Sequence, residues 1–270
     1  MLRHITLGED VFPYTDEGTG PPLLLLHGAL GDHRTWQRHS AILSARHRCL
    51  APTQRWFGTT PWREDGPPFG VATHAEDLIA FVRALGIGPV RLVAWSYAGH
   101  AAFHAALREP DLFTRVIVYE PGVPTYVTDP DELAAFGQDA QAMFGPIFEA
   151  AGRGDRIEAV RRLIDGSGGP GYFDDQPSMS RDIILDNAHS MPRLLAQEPP
   201  PQIGADDLGT LAAPVSIVWG SRTRPVFAIP SRAAARCIRS ARHVEVPGVG
   251  HLWPDEDPSG FAEMIGSFDR

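Results

Sequence analysis

The chain has 270 residues, of which 43% are hydrophobic, which is enough for one large α/β domain or one such domain with an insertion. Its 33 acidic residues against 24 basic ones give a net charge of −9, which argues against a nucleic-acid-binding surface. The sequence contains no lysine, so mechanisms that need a Schiff-base lysine, pyridoxal phosphate included, are excluded.

The two cysteines and the N-terminus indicate the cellular compartment in which the protein is expected. Cys49 and Cys237 are far apart in the sequence, which favours buried reduced thiols over a metal site. The N-terminus lacks the apolar stretch of a signal peptide, and the longest aliphatic run, Leu23–Leu26, is too short to span a membrane. We therefore expect a cytoplasmic protein with no metal, no cofactor, no nucleic-acid partner and no membrane partner.

Short apolar runs alternate along the chain with longer helix-like segments. The predicted strands are Ile5–Leu7, Val11–Asp16, Leu23–His27, Cys49–Thr53, Val90–Trp95, Val116–Glu120, Val215–Trp219 and His243–Val246. The predicted helices are Arg34–Ala45, His74–Leu85, Ala98–Arg108, Ser231–Arg239 and Ser259–Phe268. This alternation predicts an α/β fold in which a mostly parallel eight-stranded sheet carries helices on both faces.

One long stretch, residues 122–211, interrupts the alternation. It has no strand-like run, and apolar residues recur at helical spacing in Glu132–Phe148, Arg156–Ile164 and Arg181–Leu195. We interpret it as a helical cap inserted into a core domain formed by residues 1–121 and 212–270. Its apolar residues either line a pocket or form the cap's own core: Tyr126, Phe136, Met143, Phe144, Phe148 and Leu194.

A serine stands where a predicted strand turns into a predicted helix. Ser96 follows Val90–Trp95 and precedes Ala98–Arg108, as in a nucleophile elbow, where a sharp turn exposes the hydroxyl and helix N–H groups face the reacting atom. Ala94 and Ala98 occupy the usual glycine positions, so only a small-residue form of the motif is present. The alternative is an ordinary strand–loop–helix junction.

A catalytic serine needs a histidine base, and that base needs a carboxylate. Among 11 histidines, His251 alone combines a late position with a glycine-rich loop after the last predicted strand. We predict that it is the base, the alternative being a buried structural histidine.

Three segments in this order resemble the motifs of the α/β-hydrolase superfamily, and the resemblance covers essentially the whole chain. They are Leu23–Ala29, which contains His27-Gly28, the elbow Ala94–Gly99, and Gly250-His251. The resemblance implies a serine nucleophile and an oxyanion hole made by the backbone N–H groups of Ala29 and Tyr97, which would stabilise the tetrahedral intermediate.

The acid departs from the family's common pattern. The segment Trp219–Pro225, after the strand that follows the cap, contains no carboxylate, and Thr223 stands at the acid's usual place. Glu120 ends the strand after the elbow helix, a position from which certain haloalkane dehalogenases and zearalenone-type lactone hydrolases of the superfamily take their acid. We therefore predict a Ser96–Glu120–His251 triad; the alternative is that Glu120 caps the start of the insertion. Asp255, Glu256 and Asp257 are expected to open the last helix.

The nucleophile limits the chemistry. Haloalkane dehalogenases and epoxide hydrolases of this superfamily attack with aspartate, so the resemblance implies acyl chemistry for a serine. We predict a serine hydrolase that cleaves an ester or lactone of a small, moderately apolar substrate, similar to the zearalenone-type lactone hydrolases. The alternatives are a non-catalytic or slow-turnover ligand-binding protein, a carbon–carbon hydrolase and a cofactor-free perhydrolase.

The candidate substrate contacts are Trp56, Leu30 and Tyr126. Trp56 lies in Gln54–Gly58, a loop that is near the active-site rim in many relatives. The alternative is that the Trp56 side chain only packs within this turn. Arg222 and Arg224 are expected to form structural salt bridges rather than to bind a substrate carboxylate. The expected partner is a small ester or lactone, and a homodimer is left open.

Overall fold

The computed structural model describes residues 1–269 and contains one sheet of eight strands. The spatial order is β1-β2-β4-β3-β5-β6-β7-β8, and the pairs that include β1 or β2 are antiparallel while the others are parallel. The strands are β1 (Leu2–Leu7), β2 (Asp10–Glu17), β3 (Pro22–Leu26), β4 (Arg48–Pro52), β5 (Val90–Trp95), β6 (Phe113–Tyr119), β7 (Val215–Gly220) and β8 (Arg242–Val246).

Helices cover both faces of the sheet. They are α1 (Gln37–Leu43), α2 (Val71–Leu85), α3 (Tyr97–Arg108), α4 (Pro130–Gly152), α5 (Arg156–Gly168), α6 (Tyr172–Asp175), α7 (Ser178–Asp186), α8 (Met191–Leu195), α9 (Ala205–Gly209), α10 (Pro225–Cys237), α11 (Trp253–Glu256) and α12 (Pro258–Ser267). One apolar core joins the sheet to α2, α3 and α10, and a second joins it to α1, α12 and the inserted helices. The predicted fold class is confirmed.

All eight predicted strands are present, and most predicted helices differ from the observed ones by a few residues at their ends, but two differ more. The helix predicted over Ser231–Arg239 begins earlier, at Pro225, because proline is favoured in the first turn of a helix, where its missing N–H costs nothing. The segment Arg181–Leu195 is broken between α7 and α8. Asn187, at the break, is fully buried, and its amide donates to Ile183 O and to the Asp32 carboxylate, both at 2.8 Å.

The helices α4 to α9 all lie between β6 and β7, within the range predicted as a cap. Helices α5 and α8 contact each other, and α4 packs on α5 and α10, whereas α9 packs against α3 and α10 of the core. In the described part of the chain, residues 1–269, no helix combines the length and the apolar character needed to cross a membrane.

The register of the parallel strands decides which residues meet at the edge of the sheet. Trp95 at the end of β5 pairs with Tyr119 at the end of β6, so the next residues, Ser96 and Glu120, leave the sheet side by side. In open α/β sheets the carboxyl ends of the strands are where ligands bind. The register therefore brings the two residues together at that edge.

Candidate active site

Ser96 occupies a strained turn between β5 and α3. Its φ of 56° and ψ of −120° are unfavourable for a residue with a side chain, and such strain is typical of functional positions. The turn is held by the Ser96 N–H, which donates to Tyr119 O at 2.9 Å. Helix and sheet lie close together at Gly99, where a Cβ would lie 2.8 Å from Val118 Cγ1, while Ala98 fits fully buried. The alanine-substituted elbow therefore forms.

Glu120 also has a positive φ, 50°, and is fully buried. Its Oε1 accepts a hydrogen bond from Gly220 N at 2.7 Å, and its Oε2 accepts one from Thr223 Oγ1 at 2.8 Å. Thr223, at the place where the sequence lacks an acid, thus supports a carboxylate supplied by the neighbouring strand. These bonds satisfy a buried charge that would otherwise be costly.

His251 joins the serine to the glutamate. Its Nε2 lies 2.9 Å from Ser96 Oγ and its Nδ1 lies 2.6 Å from Glu120 Oε2. A carboxylate can only accept, so Nδ1–H donates to Glu120 and Nε2 is left to accept the Ser96 proton. The loop is fixed by Trp95 Nε1, which donates to His251 O at 3.1 Å, and by the Tyr119 hydroxyl, which donates to Gly250 O. The three predicted residues are thus brought together.

A phenyl ring lies against the imidazole. Phe227, on α10, is stacked on His251 with ring centroids 3.5 Å apart and an interplanar angle of 4°. The contact holds the ring plane that connects serine and glutamate, and an aromatic face attracts the cation formed when the imidazole is protonated. Sequence reasoning missed Phe227, because nothing in the pattern of α10 distinguishes it from other buried apolar residues.

The loop after β3 carries Ala29, whose backbone N–H is predicted to be an oxyanion donor. His27 is fully buried, and burial lowers its pKa to about 4. The neutral ring donates from Nδ1 to Gly28 O at 2.8 Å and accepts from Gln54 N at Nε2 at 3.0 Å, which holds the loop. Ala29 lines the cavity beside Ser96, and no hydrogen-bond acceptor for its N–H occurs among residues 1–269.

Tyr97, the second predicted donor, is the first residue of α3. The first N–H groups of a helix have no partner within it, which leaves this one available beside the serine. The Tyr97 hydroxyl lies 2.7 Å from His74 Nδ1, and His74 Nε2 lies 3.0 Å from Arg55 O. Since the carbonyl takes the Nε2 proton, the phenol donates to Nδ1, and burial raises the pKa of Tyr97. The side chain is therefore anchored rather than ionisable.

A cavity of about 780 Å³ lies between the core and the inserted helices, and Ser96 and His251 are part of its wall. Of the predicted contacts, Leu30 lines it, and so do four of the insertion's apolar residues: Met143, Phe144, Phe148 and Leu194. Much of the remaining wall is also apolar, from Ile147, Leu163, Ile164, Ile183, Ile184, Met191 and Leu195. A pocket of this size and character suits a small, moderately apolar molecule.

Two predicted substrate contacts do not lie in this cavity. Trp56 is buried in its own turn, where its indole N–H donates to Pro67 O at 3.1 Å and Arg193 stacks on its face. Tyr126 packs on His100 and Phe103 in the core. The expectation of substrate contact is corrected for both, since large aromatic side chains gain more from complete burial here than from a pocket wall.

The acidic run after His251 divides into two roles. Asp257 caps α12 by accepting from Gly260 N at 2.9 Å, as predicted for the start of the last helix. Asp255 instead lines the cavity, so the expectation that it opens the helix is wrong. The short helix α11 (Trp253–Glu256) stands between His251 and α12, so Asp255 and Glu256 both lie before the start of the last helix.

Of the two arginines predicted to form structural salt bridges, Arg224 does so, whereas Arg222 pairs with no acid among residues 1–269 and reaches only Gly248 O, at 3.5 Å. Arg224 donates to both oxygens of the Asp139 carboxylate, at 2.9 and 2.7 Å, and the same carboxylate accepts from Val226 N at 2.9 Å. Because Asp139 lies on α4, this pair ties the inserted segment to the start of α10. Arg224 is not among the residues that line the cavity.

Comparison with known proteins identifies the family. The family model described as the alpha/beta hydrolase family matches residues 23–264. An epoxide hydrolase of Caballeronia sordidicola is 35% identical over 103 residues, which cover 38% of this chain and 31% of that protein. The aligned part of the chain thus spans about a third of that relative's length.

Two further similarities extend over nearly the whole chain. Haloalkane dehalogenase 2 of Mycobacterium bovis is 25% identical over 277 residues, covering 93% of this chain and 89% of its own. The structure of the enol-lactonase from Burkholderia xenovorans LB400 superimposes with a TM-score of 0.77 at 17% identity, covering 98% of this chain and 99% of the other. The chain belongs to the α/β-hydrolase family.

Proposed function

We propose that this protein is a serine hydrolase that cleaves an ester or lactone bond of a small, moderately apolar substrate. The observation that carries the proposal is the unbroken hydrogen-bond chain from Ser96 through His251 to Glu120 at the mouth of a largely apolar cavity. Each link is at hydrogen-bond distance, and the acid is buried and held by two further donors. This is the arrangement that activates a serine hydroxyl.

In the first half of the reaction, Ser96 Oγ attacks the carbonyl carbon and His251 Nε2 takes its proton. The charge that develops on the carbonyl oxygen is stabilised by the N–H groups of Ala29 and Tyr97, and one such donor typically contributes about 3 kcal/mol. The imidazolium returns its proton to the leaving alcohol, so an acyl-enzyme and an alcohol are formed. For a lactone, the alcohol remains attached to the acyl group.

In the second half, water takes the place of the alcohol. His251 accepts a proton from water as the water oxygen attacks the acyl carbon, and Ser96 leaves with that proton. The Glu120 carboxylate stays ionised throughout and stabilises the imidazolium in both steps. The products are a carboxylic acid and the regenerated serine.

The curated relatives include an epoxide hydrolase and a haloalkane dehalogenase. According to the resemblance noted for this superfamily, those activities use an aspartate nucleophile, which forms an alkyl ester that water can hydrolyse. This chain has a serine at the elbow, and an alkyl ether on serine would not be released by water. Acyl transfer is therefore the chemistry that the nucleophile supports, and the enol-lactonase structure shares the fold in which it would occur.

The first test is labelling with a fluorophosphonate, followed by peptide mass spectrometry. The reagent reacts with a serine activated by a working base and oxyanion hole, so stoichiometric labelling is expected at Ser96 and none in a Ser96→Ala variant. Hydrolysis of 4-nitrophenyl butanoate and of a medium-chain lactone should follow the same pattern. If Ser96 is not labelled and neither substrate is cleaved, the proposal is wrong and a ligand-binding protein of the same fold becomes the better interpretation.

A further inference from the structure

Asp255 is a carboxyl group in the cavity wall that the triad does not use. It lies one turn beyond His251, in α11, and lines the same cavity. The side chain is half-buried, and burial raises the pKa of the carboxyl to about 7. An ionised carboxyl in such a place is stabilised by any hydrogen-bond donor that reaches it.

The protein itself supplies little to this carboxyl. Arg38 lies nearby but donates to the backbone carbonyl of Asp255, at 3.0 Å, and also reaches the Ser180 hydroxyl of α7 at 3.5 Å. Ser180 is the polar neighbour of the carboxyl and lines the cavity with it. The positive charge of Arg38 acts to lower the pKa of the Asp255 carboxyl, but no arginine or histidine lies within ion-pair distance of that carboxylate in the described part of the chain.

The charges on the rest of the wall have the same sign. Glu149 and Glu198 also line the cavity, and its lining includes no arginine among residues 1–269, while the sequence has no lysine. Apart from His251, the cavity therefore has no group that could pair with an anion. Glu149 and Glu198 are solvent-exposed, so water screens their charges. Beside the half-buried carboxyl of Asp255, however, a substrate carboxylate would be desolvated next to a like charge, whereas a hydroxyl or an ammonium group would find an acceptor.

We propose that the Asp255 carboxyl binds a hydrogen-bond-donating group of the substrate, a hydroxyl or an ammonium, and that the enzyme rejects esters carrying a carboxylate at that place. The inference rests on the proposed function and adds a substrate class to it. The apolar wall accommodates the body of the molecule, and Asp255 of α11 together with Ser180 of α7 selects the polar group. Asp255 is thus a specificity-determining residue rather than a member of the triad.

The test compares kcat/KM for matched esters that differ at one end. One series has the substituent on the acyl chain, as 4-nitrophenyl hexanoate and its 6-hydroxy, 6-amino and 6-carboxy derivatives. The other has it on the alcohol, as hexyl acetate and the corresponding 6-substituted esters. Each series is run with the wild type, Asp255→Leu, Asp255→Asn and the control Glu256→Gln. The control removes the neighbouring charge of α11 from an exposed residue that is not part of the cavity wall.

In at least one series, the kcat/KM for the hydroxyl ester divided by that for the unsubstituted ester should fall about tenfold in Asp255→Leu. The reason is that a hydrogen bond to a charged group is lost. Asp255→Asn should keep much of the hydroxyl preference, because an amide still accepts a hydrogen bond, but should lose the preference for ammonium. The kcat/KM for the carboxylate ester, relative to the unsubstituted ester, should rise about tenfold in both Asp255 variants, because the repulsion between like charges is removed. Glu256→Gln should retain the wild-type ratios.

Equal ratios in the wild type and Asp255→Leu, in both series, would overturn the inference. A shift of the same size in Glu256→Gln would do so too, since it would show a general effect of net charge. Fluorophosphonate labelling of Ser96 in each variant separates these outcomes from failure of the proposed function. If the wild type is labelled and cleaves the unsubstituted esters, a lack of discrimination contradicts the role of Asp255 alone. If the wild type is neither labelled nor active, both proposals fall.

Discussion

Replacing Glu120 by glutamine tests the displaced acid most directly. The glutamine keeps the size of the side chain and an oxygen for Gly220 N, but it removes the charge 2.6 Å from His251 Nδ1. For charge centres about 4 Å apart and an effective dielectric constant near 20, the lost attraction to the imidazolium is about 4 kcal/mol. That corresponds to a loss of about 10³-fold in kcat/KM, and a glutamine N–H facing Nδ1 would favour the wrong tautomer as well.

The structure also offers a rescue. Thr223 Oγ1 lies 2.8 Å from the same Glu120 oxygen that contacts His251, so an aspartate at position 223 would place a carboxylate near Nδ1. We expect Glu120→Gln/Thr223→Asp to recover at least about tenfold of the loss, since part of the charge stabilisation returns. The matched control is Glu120→Gln/Thr223→Asn, which has the same shape without the charge and should show no recovery.

The assay is the initial rate of 4-nitrophenyl butanoate hydrolysis, with thermal unfolding recorded for each variant to establish that it folds. Turnover within a few fold of the wild type in Glu120→Gln would refute the assignment of Glu120 as the acid. Equal rates in the aspartate and asparagine double variants would show that a carboxylate at position 223 cannot replace the one at position 120, and the reasoning from the shared oxygen would then be wrong.

Three further predictions concern single positions. Phe227→Leu should lower kcat/KM about 2- to 10-fold, because the His251 imidazolium loses an aromatic face, whereas Phe227→Tyr should retain activity; steady-state kinetics of both decide this. Between the ordinary Asp pKa of 3.8 and the raised value of about 7, folded Asp255 holds a proton that the unfolded chain releases, so stability falls as pH rises through this window. Asp255→Asn should therefore be more stable than the wild type at pH 8 by roughly 1–3 kcal/mol and little different at pH 4, as measured by urea unfolding. Gly220→Ala would place a Cβ 2.2 Å from Val249 O, and it should lower the free energy of unfolding by roughly 1–3 kcal/mol together with activity; a variant with unchanged denaturation and kinetics would contradict the close approach.

The pattern of apolar residues was sufficient to predict the strands of the sheet and the position of the insertion. Strand and helix periods are local properties of the chain, and they predicted every strand of the sheet and the strand-free stretch after Glu120. The candidate serine and histidine also followed from local context, since a small-residue elbow and a glycine-rich loop can be recognised within a few residues. The acid was predicted from the resemblance to superfamily members that take it from the strand end at Glu120, because the segment that usually carries it holds Thr223 instead.

The sequence by itself thus determined the elements, their order and the residue types available at the carboxyl edge of the sheet. Only the tertiary structure decided which of them meet. His251 lies 155 residues from Ser96 and 131 from Glu120 along the chain, and their contacts depend on strand register and helix packing that no local period encodes. The same holds for Phe227 against His251, for Asp255 in the cavity, and for Trp56, which packing places outside it.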